Sequence, residues 1–121
     1  MLRIRLHIHL PGEHSLGPGK VELLEAVRER GSISAAARSM GMAYRHGWEL
    51  VDDLNRAFRG PVVETESGGR RGGGARLTAL GEELVRRFRA MEAAARAAVR
   101  GDLAALERKL RPARARPRRR G

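Results

Sequence analysis

Gly31-Ser32-Ile33-Ser34-Ala35-Ala36-Ala37-Arg38-Ser39-Met40-Gly41-Met42-Ala43-Tyr44-Arg45-His46-Gly47-Trp48 is the stretch that decides the fold. Gly31 suits the position just past a helix, where a positive φ is needed. Ser34 is expected to cap a short helix running to Met40. Ala36 and Ala37 are small enough for another helix to approach closely. Gly41 permits a tight turn, with Met42 as its buried residue. From Tyr44 to about Phe58, apolar residues recur at Tyr44, Trp48, Val51, Leu54 and Phe58, which is one stripe of a helix. Two helices joined by a short glycine-containing turn form a helix-turn-helix.

Upstream, Leu2, Ile4, Leu6, Ile8 and Leu10 alternate with Arg3, Arg5, His7 and His9. This period of two predicts a strand with one wet face, ended by Pro11-Gly12. Lys20 to Arg30 then reads as a helix with Val21, Leu24 and Val27 on one face. Downstream, Val62–Thr65 and Ala75–Thr78 read as two short strands. Between them Glu66 to Gly74 forms a glycine-rich tip carrying Arg70 and Arg71. Thr78 is a natural cap for a last, long helix, and Glu82 and Glu83 suit its positive end. Its stripe is Leu80, Leu84, Phe88, Met91, Ala95 and Ala98, continuing to Leu103, Leu106 and Leu110. Gly101-Asp102 is the point where it would kink or break. Unbroken to Leu110 it would measure roughly 50 Å, too long to bury its stripe on so small a body. A second copy of the chain is the expected partner, through Leu84, Phe88, Met91 and Ala95.

The 121 residues suffice for one modest core, and with only four aromatic residues that core must be mainly aliphatic. The formal net charge of +11 calls for a polyanionic partner. Eight basic residues and no acidic one lie between Arg108 and Gly121, which leaves +3 for the rest. The Pro/Arg-rich segment 111–121 reads as a disordered basic tail, although a GC-rich genome produces the same Arg, Ala and Gly bias. Cysteine is absent, which excludes disulfides and thiolate metal sites. Nothing resembles a membrane span or a signal peptide. A cytoplasmic, nucleoid-associated protein with no membrane partner is expected.

The run from Gly41 to Asn55 resembles the recognition-helix region of the molybdate-dependent transcriptional regulators, the ModE family. Val63-Glu64, the glycines between 68 and 74, and Leu77-Thr78 with Gly81 resemble that family's wing and the start of its next helix. Ser32-Ile33-Ser34 with Ala36-Ala37 is shared more widely, including with LysR-type regulators. The resemblance covers about residues 2–100 and implies a winged helix that dimerises and binds operator DNA. It also implies a stand-alone form, because the relatives' molybdate-binding domain has no counterpart after Leu110. Ala43 departs from the pattern, since a capping Ser is expected there.

The fold expected is therefore mainly α with a small β-sheet: a winged helix-turn-helix over 1–100 with a long C-terminal dimerisation helix from about 78. Double-stranded DNA is the expected partner. Arg45 and His46 lie in the first turns of the third helix, where such helices meet base edges. Tyr44 suits a phosphate. Ser34 and Arg38 suit the backbone crossed by the first helix of the motif, and Arg70 and Arg71 suit a phosphate or the minor groove. On the surface of the third helix, Arg45 with Glu49 and Asp52 with Arg56 are expected ion pairs. His7 and His9 share a strand face without further ligands, so no metal is expected. No spacing places a nucleophile beside a base, so no catalysis, cofactor or small-molecule effector is expected either. Two other readings stand beside the regulator: a nucleoid-associated protein of low sequence preference, and a molybdate- or oxyanion-binding protein.

Overall fold

The computed structural model describes residues 2–66 and 73–112. Helix α1 spans Pro18–Arg30, opening on a proline whose missing N–H has no role in a first turn. Gly31 ends it at φ 80, a conformation penalised for residues with a Cβ. Helix α2 spans Ile33–Ser39. Its cap is Ser32 rather than the expected Ser34: the Ser32 hydroxyl accepts from the Ala35 N–H at 3.0 Å. Ser32 has the extended backbone an N-cap requires, whereas Ser34 is already helical. After Gly41, at φ 70, helix α3 runs over Tyr44–Ala57. Gly47 faces α2 so closely that a Cβ there would lie 3.0 Å from that of Ala37. The small residues thus let the two helices pack as expected.

The face that α3 turns inward differs from the expected stripe. Gly47, Val51 and Leu54 are buried, with Leu50 half-buried, while Tyr44 and Trp48 remain 55% and 37% exposed. Met42 is half-buried. The stripe is rotated because Gly47 supplies the close contact with α2, which carries its neighbours Tyr44 and Trp48 to the rim.

The N-terminal segment keeps its period of two, with Leu2 to Leu10 half-buried at every even position and exposed at every odd one. Only its end is a strand. β1 (Ile8–Leu10) pairs antiparallel with β2 (His14–Leu16), a strand that the sequence did not announce. The turn between them is tight, with positive φ at Gly12 and at Glu13. β3 (Val63–Thr65) and β4 (Ala75–Leu77) form the second antiparallel pair, the wing, in register Val63 with Leu77. The Ala75 N–H donates to the Gly31 carbonyl at 2.8 Å, which fastens the wing to the end of α1.

Helix α4 runs unbroken through Gly101-Asp102 over Ala79–Glu107, about 43 Å. Thr78 caps it as expected: its hydroxyl accepts from the Gly81 N–H at 3.0 Å and donates to the Pro61 carbonyl at 2.7 Å. Gly81 is required, because a methyl group there would collide with the Val62 carbonyl. The core gathers Leu16, Val21, Leu24, Val27, Val51, Leu54 and Val62 around Phe88, the one aromatic residue among the fully buried side chains described. Leu84 and Phe88, expected at a dimer interface, belong to this core, with Phe88 at 0% exposure. They are therefore not free for a second copy, because the first three turns of α4 already lie against the body.

Candidate nucleic-acid interface

The outward strip of α3 consists of Arg45, Glu49, Asp52 and Arg56, all exposed. Arg56 reaches Asp52 at 3.1 Å, as expected one turn apart. Glu49 instead lies 3.7 Å from His46 Nδ1, so the expected pairing with Arg45 is replaced. Arg45 has no carboxylate partner among the described residues. The acids share the exposed strip with Arg45. A carboxylate on such a strip can accept from a cytosine amino group, as Arg can donate to guanine.

One flank of α3 faces the wing. Tyr44 and Trp48 stack edge to face there, with ring centroids 6.3 Å apart at 79°. The Trp48 indole N–H donates to the Tyr44 hydroxyl. With Ile33, Ser34, Thr65, Glu66 and Gly74 they line a cavity of about 240 Å³ between the start of α2, the start of α3 and the wing. Ser34 and Arg38 lie one turn apart on the same face of α2, Ser34 half-buried and Arg38 exposed. The structure thus gathers Ser34 and Tyr44 at one cavity, with Arg45 and His46 following on the same helix. Arg70 and Arg71 lie outside the described residues, as does the chain from 113 onward. The aromatic rim was the part missed: Trp48 reads as core by spacing, and only the buried Gly47 beside it reveals the rotation.

Two polar clusters hold this surface in place. Asn55, near the end of α3, accepts from the Val62 and Val63 N–H groups at 2.8 and 3.3 Å, fixing the wing's first strand to the helix. On the other flank Asp53 joins three elements: it pairs with Lys20 of α1 and at 2.6 Å with His14 of β2. Burial alone would raise the Asp53 pKa, but hydrogen bonds and charge from Lys20 and His14 outweigh it and hold the carboxyl below its ordinary value. The outward strip of α3 is thereby clamped from both sides.

The family model for bacterial regulatory helix-turn-helix proteins of the lysR family matches residues 19–82, from the start of α1 to the first turn of α4. The chain belongs to this family. Among characterised proteins, it is 39% identical over 89 residues to the molybdenum-pterin-binding protein MopA of Rhodobacter capsulatus, covering 74% of this chain and 34% of that one. It is 37% identical over 78 residues to the molybdenum transport protein ModE of Azotobacter vinelandii, covering 64% and 29%. The expected similarity to ModE-type regulators is therefore found. The chain spans about a third of the length of these relatives. Among solved structures, this LysR-type fold superposes on the DNA-binding domain of CbnR in complex with DNA at a TM-score of 0.54 and 25% identity, covering 72% of this chain and 95% of that one.

Proposed function

We propose that the protein is a transcription regulator that reads duplex DNA with α3 in the major groove. The observation that carries this reading is the exposed strip of Arg45, Glu49, Asp52 and Arg56, clamped from both flanks within a LysR-type helix-turn-helix. Residues 1–100 act as the DNA-binding unit. Ser34, Arg38 and Tyr44 contact the phosphate backbone beside the strip, Arg45 the base edges, His46 a base edge or the neighbouring phosphate, and Arg70 and Arg71 flanking DNA. The basic tail 111–121 adds contacts blind to sequence. The protein works in the cytoplasm on the nucleoid, without catalysis of its own.

A homodimer completes the reading. Beyond Phe88 the stripe of α4 continues through Met91, Ala95, Ala98, Leu103 and Leu106, with Leu110 just past the helix end; Met91, Leu106 and Leu110 are 41%, 57% and 55% exposed. Apolar residues recurring along a helix that leaves the body match a second copy of the same helix. Pairing through this distal half would set the spacing of two half-sites near one helical turn or a multiple of it.

Selection from a random DNA library tests the function. A regulator should retain at least about a thousandfold preference for some site at physiological salt. Arg45→Ala should cost that site more than it costs random DNA, and removal of 111–121 should flatten the salt dependence while leaving the preference intact. No enriched sequence would overturn the regulator. The net charge of +11 favours the second reading, a DNA-binding protein of low sequence preference, and that outcome would select it.

A further inference from the structure

The flank of α3 away from the wing carries a feature that the recognition strip does not use. A cavity of about 300 Å³ opens between the N-terminal segment, β2, the first turn of α1 and the start of α3. Its lining includes Arg5, His7, Ser15, Gly17, Lys20 and His46. Among the described residues no carboxylate lines it, although Asp53 pairs with Lys20 and Glu49 lies 3.7 Å from His46. Arg5 is exposed and has no carboxylate partner among the described residues. Lys20 is pinned by the Ser15 carbonyl at 2.7 Å and by Asp53, which commits two of its three protons. The His7 ring rests on Gly17, where a Cβ would fall 2.7 Å from Nδ1. The Gly19 and Lys20 amides precede the first bond of α1, made by Val21 to Gly17, so they lack intrahelical partners.

Position decides what such a pocket meets. His46 and Leu50 line it, whereas Tyr44 and Trp48 line the wing-side cavity. Two residues along a helix turn it by about 200°, so the two rows lie on opposite sides of α3. A helix seated in the major groove, about 12 Å wide, has a sugar-phosphate strand along each wall. With α3 so seated, the wing-side row would face one strand and the cationic cavity the other.

We propose that this cavity is a phosphodiester-binding site, in which Arg5, His7, Lys20 and His46 grip the DNA strand opposite the wing. Arg5 supplies the free charge, Lys20 a second cation held in place, and the two imidazoles N–H donors. The alternating N-terminal segment is then a second arm on the DNA: its even residues anchor it to the core and its odd residues, Arg3, Arg5 and His7, line the phosphate side. The proposal rests on the DNA-binding reading, and its test separates the two.

The test uses the full chain and the duplex recovered by selection. Arg5→Ala should lower the slope of log affinity against log salt by about one. Gly17→Ala changes no charge, and its φ of −144 is open to any residue, so it should weaken binding by displacing His7. Neutral methylphosphonates placed one at a time along the duplex should identify a phosphate on the wing-distal strand whose neutralisation weakens the parent protein several-fold and leaves Arg5→Ala unaffected. Unchanged affinity and salt slope in both variants would overturn the site while leaving the regulator standing. So would inorganic phosphate shifting the Gly19 amide resonance while Arg5→Ala binds the duplex like the parent, since the cavity would then serve a free anion. Absence of any duplex binding by the parent would instead overturn the reading on which the site rests.

Discussion

The two halves of α4 share one stripe of apolar residues and meet opposite surroundings. In the proximal half Leu84, Val85 and Phe88 are buried in the core, where α4 packs on α1 and β4. In the distal half Met91 and Leu106 stand in water. Periodicity is the same in both, so periodicity cannot distinguish a residue that completes its own core from one that awaits another molecule. Reach separates them. The body is only wide enough to cover the helix to about Arg89, where the guanidinium grips Glu25 of α1 through two oxygens at 2.6 and 3.0 Å and Glu92 at 2.7 Å. Beyond this latch none of the described residues of α4 is buried.

The sharpest way to break the comparison is Phe88→Ala. Truncating a fully buried aromatic ring usually costs about 3–5 kcal/mol through lost burial and the cavity left behind. Chemical denaturation should register a loss of that order, and a much smaller one would mean that the proximal half is not core. Asn55→Ala comes next. It strips the Val62 and Val63 N–H groups, one of them on a fully buried residue, of their acceptor, at a cost of about 1–3 kcal/mol. Because the Val62 carbonyl accepts from the Thr78 N–H at 3.0 Å, the start of α4 should loosen with it. Faster amide exchange at Thr78 and Gly81 would report that.

The latch has a smaller and pH-dependent effect. The Arg89 hydrogen bond, opposed in part by burial, holds the Glu25 carboxyl below its ordinary value. A group depressed in the folded state stabilises that state at neutral pH and loses the contribution as pH falls through the folded value, below about pH 4.3. The pair is partly exposed, so Glu25→Gln should cost only about 0.5–1 kcal/mol at pH 7 and almost nothing at pH 3. A cost that persists in acid would assign the contact to packing of the side-chain stems and not to charge.

What could be read from the sequence follows the same division. The helix-turn-helix was legible because Ala36, Ala37 and Gly41 impose local steric rules that any context must obey. The wing strands and the Thr78 cap were legible for the same reason. Three features depended on backbone and packing geometry that residue spacing does not display. Strand β2 is three residues, His14-Ser15-Leu16, too short for a period, and exists because β1 offers it an edge. Ser32 and Ser34 are equally good caps by composition, and the backbone leaving Gly31 selects the first. Trp48 looks like core until Gly47 is known to touch Ala37. The candidate site was legible as a helix, with Arg45 and His46 on its exposed side, while the aromatic rim and the cationic cavity arise where several separate elements meet.

The smallest effect on the fold belongs to the distal half, and it tests the comparison most cleanly. Leu106→Glu, alone or with Met91→Glu, places charge on side chains already in water, so the folded protomer should change by no more than about 0.5 kcal/mol. If a second copy covers this stripe, dimerisation stabilises the folded state by mass action, and the parent protein's melting temperature should rise with its concentration. The double variant should sediment as a monomer and melt at a temperature independent of concentration. Its affinity for a single half-site should be that of the parent, while its affinity for the paired site falls, because two linked domains gain from effective concentration that separate ones lack. A parent protein that sediments as a monomer at micromolar concentration would leave the distal stripe without the partner assigned to it. The difference between the halves would then be one of reach alone.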